Sequence, residues 1–362
     1  MKNRIVSLIL KISITIYTAG MLTLVGVATP EGEGSSRPLR VMTRNMYLGA
    51  ELAPVLAATS FSEFAAEVAT VYINVQQSDI PARAEAIARE IEAAQPDLIA
   101  LQEVSLWLTG PFGGPADSVS YDALALLLDA LEARGLRYTT VAELNEFDAE
   151  APSALGINIR FIDRDVVLAR ADLNVSELKL ANVQAQHFTT NLSFVTPVLG
   201  LVTIPRGWIS VDGKIRGKSF RFINTHLESF HPAIQAIQSS ELVLGPANTD
   251  LSVILAGDLN TDSASGDPVG NAGYQILSSS GFLDLWSLLN PGSAGNTWAL
   301  HLGDSLTATT PTQRIDLIFF RGEIDAVTIE LVGSTPAALT PSGRWPSDHA
   351  GLVGTLDLKA FD

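Results

Sequence analysis

The sequence predicts an α/β fold whose buried strands carry polar chemistry at their exits. Three observations predict it. Apolar runs rich in β-branched residues stop abruptly at carboxylates, amides or histidines, as in LSVILAGDLNTD at 251–262. Helical stretches with one apolar face lie between such runs. The chain has 362 residues, 47% of them hydrophobic, enough to bury a sizeable core.

Lys2 and Arg4 precede an apolar stretch interrupted by Lys11, and residues 12–28 run without charge to the small residues Gly26 and Ala28. This is the pattern of a signal peptide over 1–28, with an uncleaved N-terminal membrane anchor as the alternative. The protein is therefore expected to be exported. Residues 29–37, TPEGEGSSR, read as a flexible tether, and 38–362 as the folded domain.

The domain opens with a short strand at 39–44 that ends in Asn45. Two helical stretches follow between Phe61 and Ala94, the second starting at Pro81 and aligning Ala84, Ile87, Ala88 and Ile91 on one face. After Pro96 the apolar strand 97–101 runs into Glu103. Residues 106–116 are rich in Gly and Pro and read as a loop. A helix over 121–134 stops at Gly135, and 137–142 is strand-like.

Beyond the polar segment 145–153, strands are expected at 157–162 and 165–169. Residues 174–203 show no clear period and fit a lid, a lipid-facing hairpin or ordinary sheet. Strands at 208–211 and 218–225 flank a turn containing Asp212-Gly213, and the second ends at His226. A helix over 234–244 returns to the central strand. A further helix at 274–280, a strand at 315–320 bearing Asp316, the triplet Ser347-Asp348-His349 and a closing strand at 351–358 complete the chain. No internal repeat is visible.

The formal net charge is -16 and the sequence pI about 4.7, so no global basic field attracts nucleic acid. Cleavage near Ala28 removes three cations and no acid, taking the charge to -19 from -16. A bound divalent cation can still reverse the sign locally. Cysteine is absent, which excludes disulfides, thiolate metal sites and a cysteine nucleophile.

Strand ends or loops present Asn45, Glu103, His226, Asp258 with Asn260, and Asp348 with His349, while Asp316 lies in a strand where a carboxylate needs a partner. Each also has a plain structural reading. Asp258 and Asn260 can form an Asx turn, a strand-end His can be an ordinary hydrogen-bonded residue, and Asp316 can pair with Arg314 or Arg321. Tyr47 lines the cleft or packs in the core. Arg314 and Trp345 read as packing residues, and His187, His231 and His301 as structural.

Taken together and in order, TRNMYLG at 43–49, LQEV at 101–104, NTHLES at 224–229, GDLNTD at 257–262, RIDLIFF at 314–320 and SDH at 347–349 resemble the endonuclease/exonuclease/phosphatase superfamily. That resemblance implies a DNase I-like four-layer sandwich, two mixed β-sheets packed face to face with helices outside, and a divalent-cation-dependent phosphoesterase site. It implies Mg²⁺ (or Mn²⁺ or Ca²⁺) held by Glu103 with Asn45 and Asp348. Asp258 would orient or deprotonate the attacking water and Asn260 would donate to it or to the phosphoryl group. His349, fixed by Asp316, would contact the phosphate; His226 would be a second contact or the proton donor to the leaving oxygen.

The expected partner is a phosphoester substrate meeting a monomer. Nucleic acid is disfavoured by charge, membrane lipid stays open, and a sphingomyelinase-type phospholipase C is the alternative activity. Two other readings are weaker. Gly303-Asp304-Ser305-Leu306 spells the GDSL of a serine esterase family, but it sits late in the chain and Asp348 and His349 are adjacent rather than spaced. A silent binding scaffold conflicts with every expected polar position being filled.

Overall fold

The computed structural model describes residues 37–301 and 309–359. The expected signal peptide, the tether up to residue 36 and the Gly303-Asp304-Ser305-Leu306 motif lie outside the described residues.

Strand β1 (Leu39–Asn45) leads through the short α1 (Ala53–Ala57) into α2 (Phe61–Ser78) and α3 (Ile80–Ala94), and the chain returns as β2 (Leu98–Gln102), parallel to β1. Ser60 caps α2 by accepting from the Glu63 N–H. Asp79, left-handed at φ 56°, ends α2 and caps α3, whose first turn holds Pro81.

Next come β3 (Leu106–Pro111), β4 (Ser118–Asp122), α4 (Ala123–Ala133) and the long hairpin of β5 (Tyr138–Pro152) and β6 (Ile157–Arg170). The expected loop at 106–116 is thus partly strand. Its Gly and Pro residues concentrate in the turn around Gly113-Gly114, where a Cβ on Gly113 would meet nothing. Asp122, not Tyr121, marks the start of α4, its carboxylate accepting from the Leu124 and Ala125 N–H groups.

The unplaced segment 174–203 contains β7 (Lys179–His187), β8 (Leu192–Thr196) and the start of β9 (Gly200–Ile204). Strand β7 is ordinary sheet, paired with β10 (Gly207–Ile215), whereas β8 and β9 form a separate hairpin. β11 (Lys218–His226) pairs with β10 through a two-residue turn at Arg216-Gly217, both at positive φ, not through Asp212-Gly213. Gly213 lies inside β10 because the Phe220 ring covers it; a Cβ there would come within 2.2 Å of that ring.

The chain finishes with α5 (Pro232–Leu244), β12 (Ser252–Asp258), α6 (Ala272–Ser279), β13 (Leu283–Asp284), α7 (Leu285–Leu289), β14 (Asp316–Arg321), β15 (Ile324–Val332) and β16 (Gly351–Leu358).

One sheet runs β15-β16-β1-β2-β6-β3-β4, with β5 on the other edge of β6; the second runs β13-β14-β12-β11-β10-β7. Alternation along each central strand builds the layers. In β12, Ile254 and Ala256 face β1 and β2 across the sheet interface, with Val41, Leu98, Phe222 and Ile318. Val253 and Leu255 face the other way, with Leu242 of α5 and Leu277 of α6. Met42, Ile99 and Leu101 pack outward on α2, α3 and α4. The result is the expected four-layer sandwich, whose doubly covered strands read as continuous apolar runs.

Gly257 is required by this packing. A Cβ there would lie 2.0 Å from the Thr225 carbonyl oxygen on β11. Gly257→Ala should destabilise the protein by about 1–3 kcal/mol, the usual cost of overpacking, read as a lower urea midpoint at unchanged slope. An unchanged midpoint would mean that the two strands are free to separate there.

Candidate active site

Strand register assembles the site. The parallel ladder of β11 on β12 sets His226 opposite Asp258, and the antiparallel ladder of β12 on β14 sets Asp258 opposite Asp316. Three site residues therefore stand in one transverse row across the strand ends of the second sheet. In the first sheet Asn45 stands opposite Gln102, so Glu103 leaves β2 one residue later, turned back by its φ of 55°.

Asn45 joins the two sheets. Its Nδ2 donates to Glu103 Oε1 (3.0 Å) and Asp258 Oδ2 (3.1 Å), while its oxygen accepts from the Tyr47 N–H. The Leu48 N–H donates to Glu103 Oε2 (2.8 Å). Asp258 Oδ1 accepts from the Asn260 N–H (3.0 Å), and Asn260 Nδ2 donates to the Leu227 carbonyl. The Asx turn is present, and it turns Oδ2 of Asp258 inward toward Asn45.

His349 Nδ1 lies 2.8 Å from Asp316 Oδ2, and its Nε2 lies 3.7 Å from Asp258 Oδ2. Burial disfavours its charge, but Asp316, Asp348 and Asp258 together hold its pKa well above the ordinary value. Asp316 pairs with neither Arg314 nor Arg321: Arg314 binds Asp284, and Arg321 donates to main-chain carbonyls.

His226 is different. Arg206 Nη1 donates to its Nδ1 (3.1 Å), and burial, then Arg206 and His349, push its pKa well below the ordinary value. It is a neutral imidazole whose Nε2 faces Asp258 Oδ2 at 3.5 Å.

The acids are held the other way. Burial, then Asp348 and Asp163, raise Glu103 to about 8. Burial, partly offset by His349 and reinforced by Asp316, raises Asp258 to about 7. Asp348 accepts from the Trp298 indole (3.4 Å). All eight expected residues meet in one place. Tyr47 is buried and lines the cleft, edge-on to His301 with ring centroids 5.1 Å apart. His187 and His231 stay outside, the first bonded to the Asn145 carbonyl and the second preceding α5.

Asp258, Asp316 and His349 offer ligand atoms within 4.8 Å of one another. His349 Nδ1 is hydrogen-bonded to Asp316 and its ring is held positive between Asp316 and Asp258, so this trio is an ion-paired cluster, not a cation cage. Glu103 fits a divalent cation better. Its carboxylate faces the cleft beside Asp348 and Asp163, and Arg206 is the only Lys or Arg lining that cleft among the described residues. Mutually repelling oxygen donors short of countercharge are the donor set that hard cations take.

Several buried charged side chains around the site escaped sequence reasoning. Glu146, Asp163, Asp165 and Arg206 are buried beside His226. Arg44 and Arg83 bind the loops that carry the site: Arg44 donates to the Asn45 and His349 carbonyls, Arg83 to those of Met46, Tyr47 and Pro346. A signal existed, since Arg83 and Glu90 fall on the apolar face of α3 and Asp163 and Asp165 interrupt an apolar strand.

The Endonuclease/Exonuclease/phosphatase family model matches residues 71–349. The chain belongs to this family. Among curated proteins it is similar to Tyrosyl-DNA phosphodiesterase 2 of Bos taurus, 30% identical over 164 residues, covering 42% of this chain and 43% of that protein. The Homo sapiens protein is 29% identical over the same length. The chain spans about two fifths of the length of these relatives. Similar solved structures include an endonuclease/exonuclease/phosphatase from Bacteroides vulgatus (TM-score 0.53, 15% identity, 89% of this chain and 100% of that one). Truncated Caenorhabditis elegans TDP2 gives a TM-score of 0.52 at 18% identity, covering 88% of this chain and 97% of that one. These structures share the fold.

Proposed function

We propose that the protein is an exported, Mg²⁺-dependent phosphoesterase that hydrolyses a phosphodiester or phosphomonoester by direct attack of water. The observation that carries this reading is Asp258. Its Oδ2 is the meeting point of Asn45, His226 and His349, and its pKa of about 7 suits a base near neutral pH.

Asp258 accepts the proton of the attacking water as its oxygen bonds to phosphorus. The His349 imidazolium, paired with Asp316, stabilises the charge that develops on the phosphoryl oxygens. His226, with Nδ1 occupied by Arg206, carries its proton on Nε2 and donates a second hydrogen bond to the phosphoryl group. The P–O bond to the leaving group then breaks, and the leaving oxygen takes up a proton. Glu103, with Asn45 and Asp348 beside it, would hold the cation, which supplies positive charge to a phosphoryl oxygen when bound. The basic-then-apolar pattern of residues 1–28 supports export.

Chelation tests the reading. EDTA should abolish hydrolysis of bis(p-nitrophenyl) phosphate, Mg²⁺ should restore it, and a serine-directed inhibitor should leave it intact; the opposite pattern would overturn the metal assignment.

The same donor set predicts a pH-dependent stability. Glu103 and Asp258 are raised from 4.5 and 3.8 to about 8 and 7, and His349 is raised from 6.5. The folded protein binds these protons more tightly than the unfolded chain. The stability they contribute is complete below the unfolded values and lost as pH rises through the folded ones. His226, lowered from 6.5, acts oppositely but only below that pH. In EDTA the melting temperature should fall between pH 6.5 and 8, and excess Mg²⁺ should flatten the fall. A melting temperature that rises over this range in EDTA would refute the assignment.

A further inference from the structure

The cleft does not end at the catalytic residues. The whole cleft, from Glu103, Asp258 and His349 toward α2, holds about 540 Å³, and away from those residues its walls turn apolar: Phe64 and Val68 on α2, Ile159 and Phe161 on β6, Ala151 on β5, and Ile204 on β9. Well-packed interiors leave few voids larger than a water molecule, and this one is the size of a small-molecule site.

We propose that this cavity is a chain-binding subsite, and that the substrate is a phosphoester bearing a single flexible alkyl chain, with the phosphate at Asp258 and His349 and the chain running inward beneath α2. The proposal rests on the phosphoesterase reading of the same site.

The walls select such a group over a nucleotide. Trp107, also in the wall, donates its indole N–H to the Leu48 carbonyl and packs against Phe161 with ring centroids 4.5 Å apart, so each of these rings already has an aromatic neighbour on one face. Acidic residues line the mouth, among them Glu51 and Glu150, and repel a second phosphate. An uncharged chain meets neither obstacle, and each buried methylene gains apolar contact.

The hydrolysis balances without a further reactant. Water adds its oxygen to phosphorus, the P–O bond to the leaving group breaks, and the water's proton ends on the departing oxygen. A series of alkyl p-nitrophenyl phosphates from methyl to decyl, assayed as monomers with Mg²⁺, reads the cavity directly. Each added methylene should raise kcat/KM by about fourfold, the ratio corresponding to one buried CH₂, until the chain outgrows the space.

Ala151→Trp, beside its cross-strand partner Ile159, should fill the apolar end of the cleft, lowering kcat/KM for the octyl ester at least tenfold and sparing the methyl ester. Calorimetry gives an arm independent of turnover and of that variant's folding: octyl phosphate should bind the wild-type protein at least a hundredfold tighter than methyl phosphate. A flat kinetic series with the methyl ester well cleaved, or equal binding of the two phosphates, overturns the subsite and leaves the phosphoesterase reading standing. No cleavage of any ester, with tight octyl phosphate binding, instead overturns the phosphoesterase reading and leaves a chain-binding cavity.

Discussion

Asp258→Asn should lower turnover by about 10²–10⁴-fold, the range a positioned general base supplies, without lowering the melting temperature. The two halves of this expectation have one cause. Asp258 is buried among Asp316, His226 and His349, and burial with the neighbouring Asp316 makes its ionised form unfavourable in the folded state. Removing the charge relieves that penalty while keeping side-chain shape. It also removes the acceptor to which Asn45, His226 and His349 point. Melting curves at pH 8 in EDTA, with kinetics in Mg²⁺, separate the effects. A variant that retains turnover would show that another group activates the water. A variant that loses turnover and fold together would make Asp258 structural.

Arg44→Met should cost about 3–5 kcal/mol of stability, the usual effect of breaking one side of a buried ion pair. Arg44 is fully buried on β1. Its Nε and Nη2 donate to both carboxylate oxygens of Glu90 on α3, at 2.9 and 3.1 Å, and its Nη1 reaches the main-chain carbonyls of Asn45 and His349. Glu90, already raised in pKa by burial, would be left charged and unpaired or forced to take up a proton. The double variant Arg44→Met with Glu90→Leu should recover most of the stability, because an apolar pair replaces a buried ionic one at little cost. Activity should stay low in the double variant, since the Asn45 and His349 carbonyls still lack their donor. Equal urea midpoints for the single and double variants would show that Glu90 does not depend on Arg44.

How much of this could be read from residues alone follows from physical differences between segments. Strands covered on both faces, such as β2 and β12, are unbroken apolar runs, so their polar exits at Glu103 and Asp258 stand out. The segment 145–153 hid its strand because β5 lies along one edge of β6 with much of its length exposed, and bulges at 140–142 and 145–147 break its alternation. Strand β7 is exposed along nearly all its length, which erases the period that would reveal it. The Asp212-Gly213 signal misled because Gly213 serves a close ring contact, not a turn. The buried arginines were visible as charges on apolar faces, but their partners lie tens or hundreds of residues away, and spacing carries no information about such pairs.

Asn45 bridges Glu103 and Asp258, and so spans residues contributed by different sheets. Strand β1, which carries it, is completed on one side only when β16, from the far end of the fold, pairs along it. Long-range pairing of this kind is intrinsically slow because chain closure must precede it. Neither sheet alone contains a competent set of groups: one holds Asn45 and the exit to Glu103, the other holds His226, Asp258 and Asp316. On the proposed reading, competence therefore requires both sheets docked together, and a chain with either sheet alone, even with much of its secondary structure in place, lacks half of the groups that the reaction needs.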